Sequence, residues 1–167
     1  DVWTHLVDIR KSFEPRAEEL AKKYALAPYT MFIGSGALWG ETILFSMCIL
    51  EEMQWKRTRY ITSADFFHGT LELVEPGVPV FLFMGEDENR KLDERVRAFL
   101  TRGVTGDTDI NVIDTAEFAI PGLDDEFRVI VSPWILSSLI TDRLAAYYET
   151  VTKHNLNYRR YYHQFDY

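Results

Sequence analysis

The feature that most constrains the fold is an alternation of short apolar runs with longer segments of helical periodicity. The run 29–33 (YTMFI) stops at Gly34-Ser35-Gly36 and leads into a strongly apolar segment, 37–55. A buried strand that ends in a glycine turn and is followed by a helix is typical of α/β folds. Strands that alternate with helices predict a largely parallel sheet covered by helices.

The remaining segments extend this pattern to five strands. Apolar residues at steps of three and four predict an amphipathic helix over 4–25, with Thr4 as its N-cap and Pro15 as a kink or a break. We predict further strands at 57–62, 78–84, 111–114 and 127–131, and further helices at 88–101 and 133–152. The body of this α/β domain spans 1–153, and 154–167 is a C-terminal tail that packs on the body or on a partner subunit.

Length and charge narrow the range of functions. A chain of 167 residues with 47% hydrophobic residues fits one domain with a sizeable core. The net charge of −8 argues against nucleic acid as a main partner, because phosphate backbones attract basic surfaces. Cys48 is the only cysteine, so no intrachain disulfide can form, and its apolar neighbours predict a buried, inert thiol.

Targeting and cofactor signals are also absent from the sequence. It has no run of 18 uncharged apolar residues, so we expect no membrane partner, and its charged start is not a signal peptide. The default location is therefore the cytoplasm. We found no metal-ligand spacing and no nucleotide-binding glycine motif, so we expect neither a metal nor another cofactor. The chain lacks an initiator Met, and we expect it to be a piece of a longer protein.

Two residues are candidates for acid–base chemistry. Glu52 lies near the end of the apolar helix, and His68 follows 68 − 52 = 16 positions later, in a turn after the second strand. A semi-buried carboxylate can act as a general base, and an imidazole can donate or accept a proton near neutral pH. The alternative is that Glu52 is a solvated surface carboxylate and His68 a structural histidine.

Other residues are candidates for ligand binding. Ser35 and Gly36 stand where a helix N-terminus follows a strand, which suits a polar ligand at the carboxyl edge of the sheet. The alternative for them is a plain tight turn. In the tail, Arg159, Arg160 and Tyr161 could reach a phosphate, a carboxylate or a partner subunit, or could form an ordinary surface ion pair.

Taken together, these motifs resemble the SIS (sugar isomerase) domain family. The resemblance is strongest to the C-terminal SIS domain of the fructosamine-6-phosphate deglycases, such as those acting on fructoselysine or fructose-asparagine 6-phosphate, and it covers nearly the whole chain. It rests on Cys48-Ile49, Glu52-Met53-Gln54-Trp55, Phe66-Phe67-His68-Gly69, Asp93-Glu94-Arg95 and Arg159-Arg160-Tyr161 with the final Tyr167. The resemblance implies a three-layer α-β-α sandwich of the flavodoxin-like type.

The resemblance also implies roles for individual residues. Glu52 would be the general base that takes the C1 proton of an open-chain ketoamine to give an enaminol, and His68 would be a general acid that often acts in the adjacent subunit. Ser35, Gly36, Arg159 and Tyr161 would bind the phosphorylated sugar-amine substrate. Reprotonation at C2 and hydrolysis would release glucose 6-phosphate and an amino acid.

The resemblance has two departures and leaves two alternatives. Many relatives have Pro after His68-Gly69, whereas this chain has Thr70. The resemblance implies an N-terminal SIS domain that carries the sugar-phosphate loop of the family, and we expect that domain in the longer protein, so this fragment alone is expected to show little turnover. An aldose–ketose or aminosugar phosphate isomerase, like that of glucosamine-fructose-6-phosphate synthase, would use the same acid–base pair. A non-catalytic phosphosugar-sensing module would need neither residue.

The apolar 37–55 helix and the aromatic tail predict a homo-oligomer, with a dimer as the simplest form.

Overall fold

The computed structural model describes residues 1–103, 106 and 108–166, so Tyr167 lies outside the described residues. The strands are β1 (Thr30–Gly34), β2 (Thr58–Ile61), β3 (Val80–Met84) and β4 (Ile110–Asp114). The α-helices are α1 (Val2–Tyr24), α2 (Trp39–Ile43), α3 (Ser63–Phe66), α4 (Arg90–Leu100), α5 (Asp125–Leu139) and α6 (Ala145–Thr152). Two π-helical segments, Leu44–Met53 and Ile140–Leu144, continue α2 and α5.

The sheet is parallel, as the sequence predicts, but it has four strands within the described residues rather than five. Their order is β2-β1-β3-β4, and every adjacent pair runs in parallel. The predicted fifth strand at 127–131 is wrong, because these residues belong to α5. Four strands in this order still place every strand end that leads into a helix at the same edge of the sheet.

Side chains on the two faces of the sheet divide the core into two clusters. Phe32 and Phe83 point to the face covered by α1, α2, α5 and α6. Met31, Ile33 and Leu82 point to the face covered by α3 and α4. Since successive residues of a strand point to opposite faces, this alternation makes the three-layer α-β-α sandwich.

Helix α1 confirms the predicted amphipathic helix with two differences. Its N-cap is Asp1, whose carboxylate accepts a hydrogen bond from the Trp3 N–H at 3.1 Å, and not Thr4. Pro15 lies inside the helix without splitting it. The apolar positions predicted to face inward, such as Leu6, Phe13 and Tyr24, are buried in the core cluster to which α5 and α6 also contribute.

The long apolar segment after β1 is a composite helix. It begins as a short 3₁₀ turn at Gly36–Leu38, continues as α2 and ends as the π-helical segment Leu44–Met53. The helix then stops at Trp55, which has a left-handed φ of 53°. The Lys56 N–H donates back to the Leu50 carbonyl at 2.8 Å, so the last turn is closed by a C-terminal cap of the kind that usually uses glycine.

The continuous helical stretch Asp125–Thr152 is long and apolar enough to cross a membrane by length and composition. Half of its most apolar window is buried within the fold, however, where it packs on α1 and under the sheet. The core helix of a globular domain passes the same test, so this helix is weak evidence for a membrane span. Pro133, predicted at the start of this helix, lies inside α5.

Candidate active site

Glu52 lies near the end of the π-helical segment and is held by an arginine from the C-terminal tail. Its Oε1 accepts from the Nε of Arg159 at 2.9 Å, and the Glu52 side chain is 32% exposed. The neighbouring Glu51 has a separate partner, because its Oε1 accepts from the Thr58 hydroxyl at 2.6 Å. Adjacent helical residues point in different directions, and here each carboxylate has its own role.

The tail folds back over the end of this helix and forms one wall of an open cavity of about 380 Å³. Two carboxylates, three cations and three aromatic rings line it: Glu51, Glu52, Lys56, Arg159, Arg160, Trp55, Tyr161 and Tyr162. A volume in this range is that of a site for a small molecule. Arg159 and Tyr161, two of the predicted substrate-binding residues, therefore share a cavity with Glu52.

The Arg159 guanidinium is fixed by more than its ion pair. Its Nη1 donates to the carbonyl oxygens of Leu156 and Tyr158, at 2.7 and 2.8 Å. The side chain is only 17% exposed. These bonds leave Arg159 little freedom, so Glu52 is presented to the cavity in one orientation.

Gln54 attaches the tail to the helix. This side chain is buried, its Nε2 donates to the His154 carbonyl at 2.6 Å, and its Oε1 accepts from the Thr152 hydroxyl at 2.7 Å. The chain turns at Lys153, which has a left-handed φ of 58°. Both bonds hold the turn that directs the tail toward Trp55.

Trp55 is the central aromatic group of the cavity wall. The Arg160 guanidinium lies 4.3 Å from the centre of its ring, and the His154 ring packs edge-on at 4.4 Å. A left-handed backbone is uncommon for a bulky residue and carries strain. Trp55 keeps this conformation while it supports Arg160 on one side and His154 on the other.

Ser35 and Gly36 lie at the carboxyl edge of the sheet, away from this cavity. The buried Ser35 hydroxyl accepts from the Ser63 N–H at 2.7 Å. The Asp87 carboxylate covers the Gly36 turn and accepts from the Ala37 N–H at 2.6 Å. A Cβ at Gly36 would stand 2.1 Å from the Asp87 Oδ2. The anion-binding position at this helix N-terminus is thus filled by the chain's own carboxylate, and the geometry does not support substrate contact there.

Behind this turn lies a buried polar network. Asp93 is 1% exposed, and its carboxylate accepts from the Ser63 hydroxyl at 2.5 Å and from the Gly85 N–H at 3.4 Å. Burial raises the pKa of Asp93 to about 6, against the opposing effect of the Ser63 hydrogen bond. The network joins the ends of three strands and fixes the carboxyl edge.

His68 is exposed and does not line the Glu52 cavity. Its neighbours Phe66 and Phe67 pack on Phe99 of α4, on the face of the sheet opposite to the helix that carries Glu52. The structure does not bring His68 and Glu52 together within one copy of the chain.

Within the described residues, no group of three or more His, Cys, Asp or Glu side chains could hold a metal ion. Cys48 is partly buried rather than fully buried. Burial, together with the charges of Glu52 and Glu51, raises the pKa of its thiol. A raised pKa keeps the thiol protonated and unreactive, in line with the prediction of an inert cysteine.

Comparison with known proteins places this geometry in a family. The chain is 30% identical over 148 residues to the fructosamine deglycase of Bacillus subtilis, a match that covers 87% of this chain and 43% of that protein. It is 31% identical over 161 residues to the fructoselysine 6-phosphate deglycase of Escherichia coli, covering 95% and 43% of the two chains. A crystal structure assigned as a phosphosugar isomerase, also from Bacillus subtilis, superposes with a TM-score of 0.87 at 28% identity and covers 98% of this chain and 49% of that one.

The chain is a SIS domain. No family model matches it, so the assignment rests on these relatives and on the fold. This SIS domain spans less than half the length of the curated relatives that it matches. The α/β fold with its parallel sheet is the one that the resemblance implies.

Sequence reasoning missed several residues of the cavity in this SIS domain. The predicted site residues do not include Lys56, Tyr162 or His154, and the His154 ring contacts Trp55 and Tyr158. The signal for Lys56 is its charge four positions after Glu52, just past the end of the helix. No comparable signal existed for His154, because its contacts depend on the path of the tail.

Proposed function

We propose that the intact protein is a deglycase that converts a fructosamine 6-phosphate into glucose 6-phosphate and a free amino acid. The observation that carries the proposal is the Glu52–Arg159 pair at 2.9 Å in a cavity of about 380 Å³. The similarity to two proteins named as deglycases supports the same chemistry. A carboxylate held at the wall of a ligand-sized cavity is what a proton abstraction from carbon requires.

In the proposed reaction, Glu52 takes a proton from C1 of the open-chain ketoamine. The electron pair of that C–H bond forms a C1=C2 double bond, and the C2 carbonyl oxygen takes up a proton, which gives the enaminol. Reprotonation at C2 converts the enaminol to the C1=N imine. Water then adds to C1 and the C–N bond breaks, so the sugar leaves as the aldehyde form of glucose 6-phosphate and the amine leaves as a free amino acid.

His68 is proposed as the general acid, supplied by an adjacent subunit. Its exposed position on the opposite face of the sheet is compatible with contact to another copy. Arg159 and Tyr161 are proposed to contact the substrate through their places in the cavity wall. The phosphate of the substrate is proposed to bind in the part of the protein outside this chain.

The proposal is tested on the intact protein with a panel of fructosamine 6-phosphates. We expect release of glucose 6-phosphate and amino acid, and we expect Glu52→Gln to lower kcat by about 10²–10⁴-fold, the usual contribution of a general base. Glu51→Gln is the matched control, because Glu51 contacts Thr58 and its loss leaves the Glu52 pair in place. Near-normal turnover by Glu52→Gln would contradict the proposal.

A phosphosugar isomerase is the second candidate, because the solved structure with a TM-score of 0.87 is assigned to that activity. An isomerase would use the same proton transfer between C1 and C2 without cleaving a C–N bond. Analysis of the products separates the two. A free amino acid appears only with a deglycase, whereas interconversion of aldose and ketose phosphates appears only with an isomerase.

A further inference from the structure

The cavity around Glu52 contains two cations that pair with no carboxylate among the described residues. Glu51 is bonded to Thr58, and Glu52 is paired with Arg159. Lys56 and Arg160 form no ion pair with any described residue, yet both line the cavity. The site as folded therefore has a surplus of positive charge beside its candidate base.

Partial burial of Lys56 strengthens the attraction of this positive charge for an anion. Lys56 is partly buried, and burial lowers the pKa of its ammonium group below the ordinary value. A cation in a poorly solvated place gains more from a bound anion than one in open water. Lys56 thus fits a negatively charged part of the substrate better than it fits solvent, and the exposed Arg160 stands beside it in the cavity wall.

Arg160 is also oriented for such a contact. Its guanidinium lies 4.3 Å from the centre of the Trp55 ring, and the Trp55 ring packs against the His154 ring. A guanidinium on an aromatic face keeps its N–H groups in the plane, where they match the two oxygens of a carboxylate.

The covalent structure of the substrate decides which anion reaches this place. In a sugar attached to an α-amino group, the carboxylate carbon is three bonds from C1, whereas the phosphorus at the other end of the sugar is seven bonds away. In a sugar attached to the ε-amine of lysine, the carboxylate is also seven bonds from C1. Lys56 and Arg160 line the same cavity as Glu52, so the anion attached closest to C1 is the one that suits them.

We propose that Lys56 and Arg160 form a carboxylate subsite that selects fructosamine 6-phosphates in which the sugar is attached to the α-amino group of an amino acid. This inference rests on the proposed deglycase function and names its substrate class. The relative from Escherichia coli is named for fructoselysine, so the subsite would distinguish this protein from it.

The test compares three substrates of the intact protein: the fructosyl 6-phosphates of alanine, of ethylamine (alanine without its carboxylate) and of the lysine ε-amine. We expect kcat/KM for the alanine compound to exceed that for the ethylamine compound by about 100-fold, because each charge-assisted contact contributes about tenfold. Lys56→Met and Arg160→Gln should each lower this ratio about tenfold. The controls Lys91→Met and Arg102→Gln change exposed cations outside the cavity and should leave the ratio unaltered.

The other outcomes overturn the inference in distinguishable ways. A ratio near one in the unmodified protein, or a preference for the ε-linked lysine compound, removes the carboxylate subsite and leaves the deglycase function standing. Equal losses on the alanine and ethylamine compounds in Lys56→Met and Arg160→Gln would assign the two cations to the phosphate instead. Release of no amine from any of the three compounds would reject the deglycase function and the inference together.

Discussion

At the scale of single residues, Asp93 is a buried carboxylate that has no cationic partner in the part of the chain that the structure describes. It is 1% exposed and depends on the Ser63 hydroxyl and the Gly85 N–H for its hydrogen bonds. Burial disfavours the charged form and raises the pKa of Asp93 to about 6. The folded protein therefore holds this proton up to a higher pH than the unfolded chain does, since an unfolded Asp titrates near pH ~4.

The sign of the resulting pH dependence follows from linkage. The stabilising contribution of protonated Asp93 is complete below the unfolded pKa and is lost as the pH rises through about 6. Asp93→Asn removes the ionisation, so the variant does not lose this contribution as the pH rises. The free energy of unfolding of the variant minus that of the unmodified protein should therefore increase by roughly 2–3 kcal/mol between acid and neutral pH. Urea unfolding at a series of pH values measures this difference.

The control for this prediction is Asp124→Asn, an exposed N-cap position where asparagine serves equally well. Its difference from the unmodified protein should be nearly flat over the same pH range. A flat profile for Asp93→Asn as well would mean that Asp93 ionises normally in the folded state.

Glu52 illustrates how far sequence reasoning reaches at a single residue. Its place at the end of an apolar helix followed from local periodicity and is correct, because helix boundaries depend on neighbouring residues. Its partner Arg159 did not follow, because that contact depends on how the distant tail returns to the body. Tail residues were selected for their charge and aromaticity, but their pairing required the fold.

At the scale of elements, the same limit explains the missing fifth strand. The run 127–131 (FRVIV) is rich in β-branched residues, and a short apolar run of this kind cannot be assigned to a strand or a buried helix by periodicity alone. The structure resolves it as α5, which begins at Asp125 with acidic residues in its first turn. Packing on α1 favours a helix over a strand here, because α5 buries Val131 and apolar residues that follow it in the core.

The tail is the element whose attachment matters most for the site. It is held by the Gln54 bonds to Thr152 and His154, while its own residues beyond Leu156 are mostly exposed. Gln54→Ala should release the tail, because two bonds are lost and buried polar groups are left unpaired. We expect a loss of roughly 1–3 kcal/mol in the free energy of unfolding.

Limited trypsin digestion measures the release directly, since Arg159 and Arg160 are cleavage positions within the tail. Cleavage there should become several-fold faster in Gln54→Ala, and turnover by the intact protein should fall because Glu52 loses its fixed partner. Gln164→Ala is the matched control, because this exposed glutamine lies in the tail and its side chain donates to the Tyr162 carbonyl at 3.4 Å, a long hydrogen bond within the tail itself. Unchanged cleavage in Gln54→Ala would show that other contacts hold the tail.

At the scale of the whole molecule, exposed apolar surface favours association with other chains. Trp3 and Trp134 stack on each other at 5.1 Å and are 62% and 44% exposed. They border a second cavity of about 330 Å³ between α1 and α5. The sequence predicts exposed apolar surface on the 37–55 helix and the tail. The patch formed by Trp3 and Trp134 is additional, because it exists only when α1 and α5 pack together.

The separation of Glu52 from His68 leads to the last prediction, because the elements that carry them pack on opposite faces of the sheet. If His68 acts in the site of an adjacent subunit, neither Glu52→Gln nor His68→Ala is active alone, but a mixed dimer contains one intact site. Random mixing of equal amounts of the two intact variant proteins, by unfolding and refolding together, should then restore about one quarter of the unmodified activity, as expected for a two-fold symmetric dimer. Each variant refolded alone is the control for recovery during refolding. A mixture that stays inactive would place His68 in the same subunit as its Glu52, and full activity of His68→Ala alone would remove it from the mechanism.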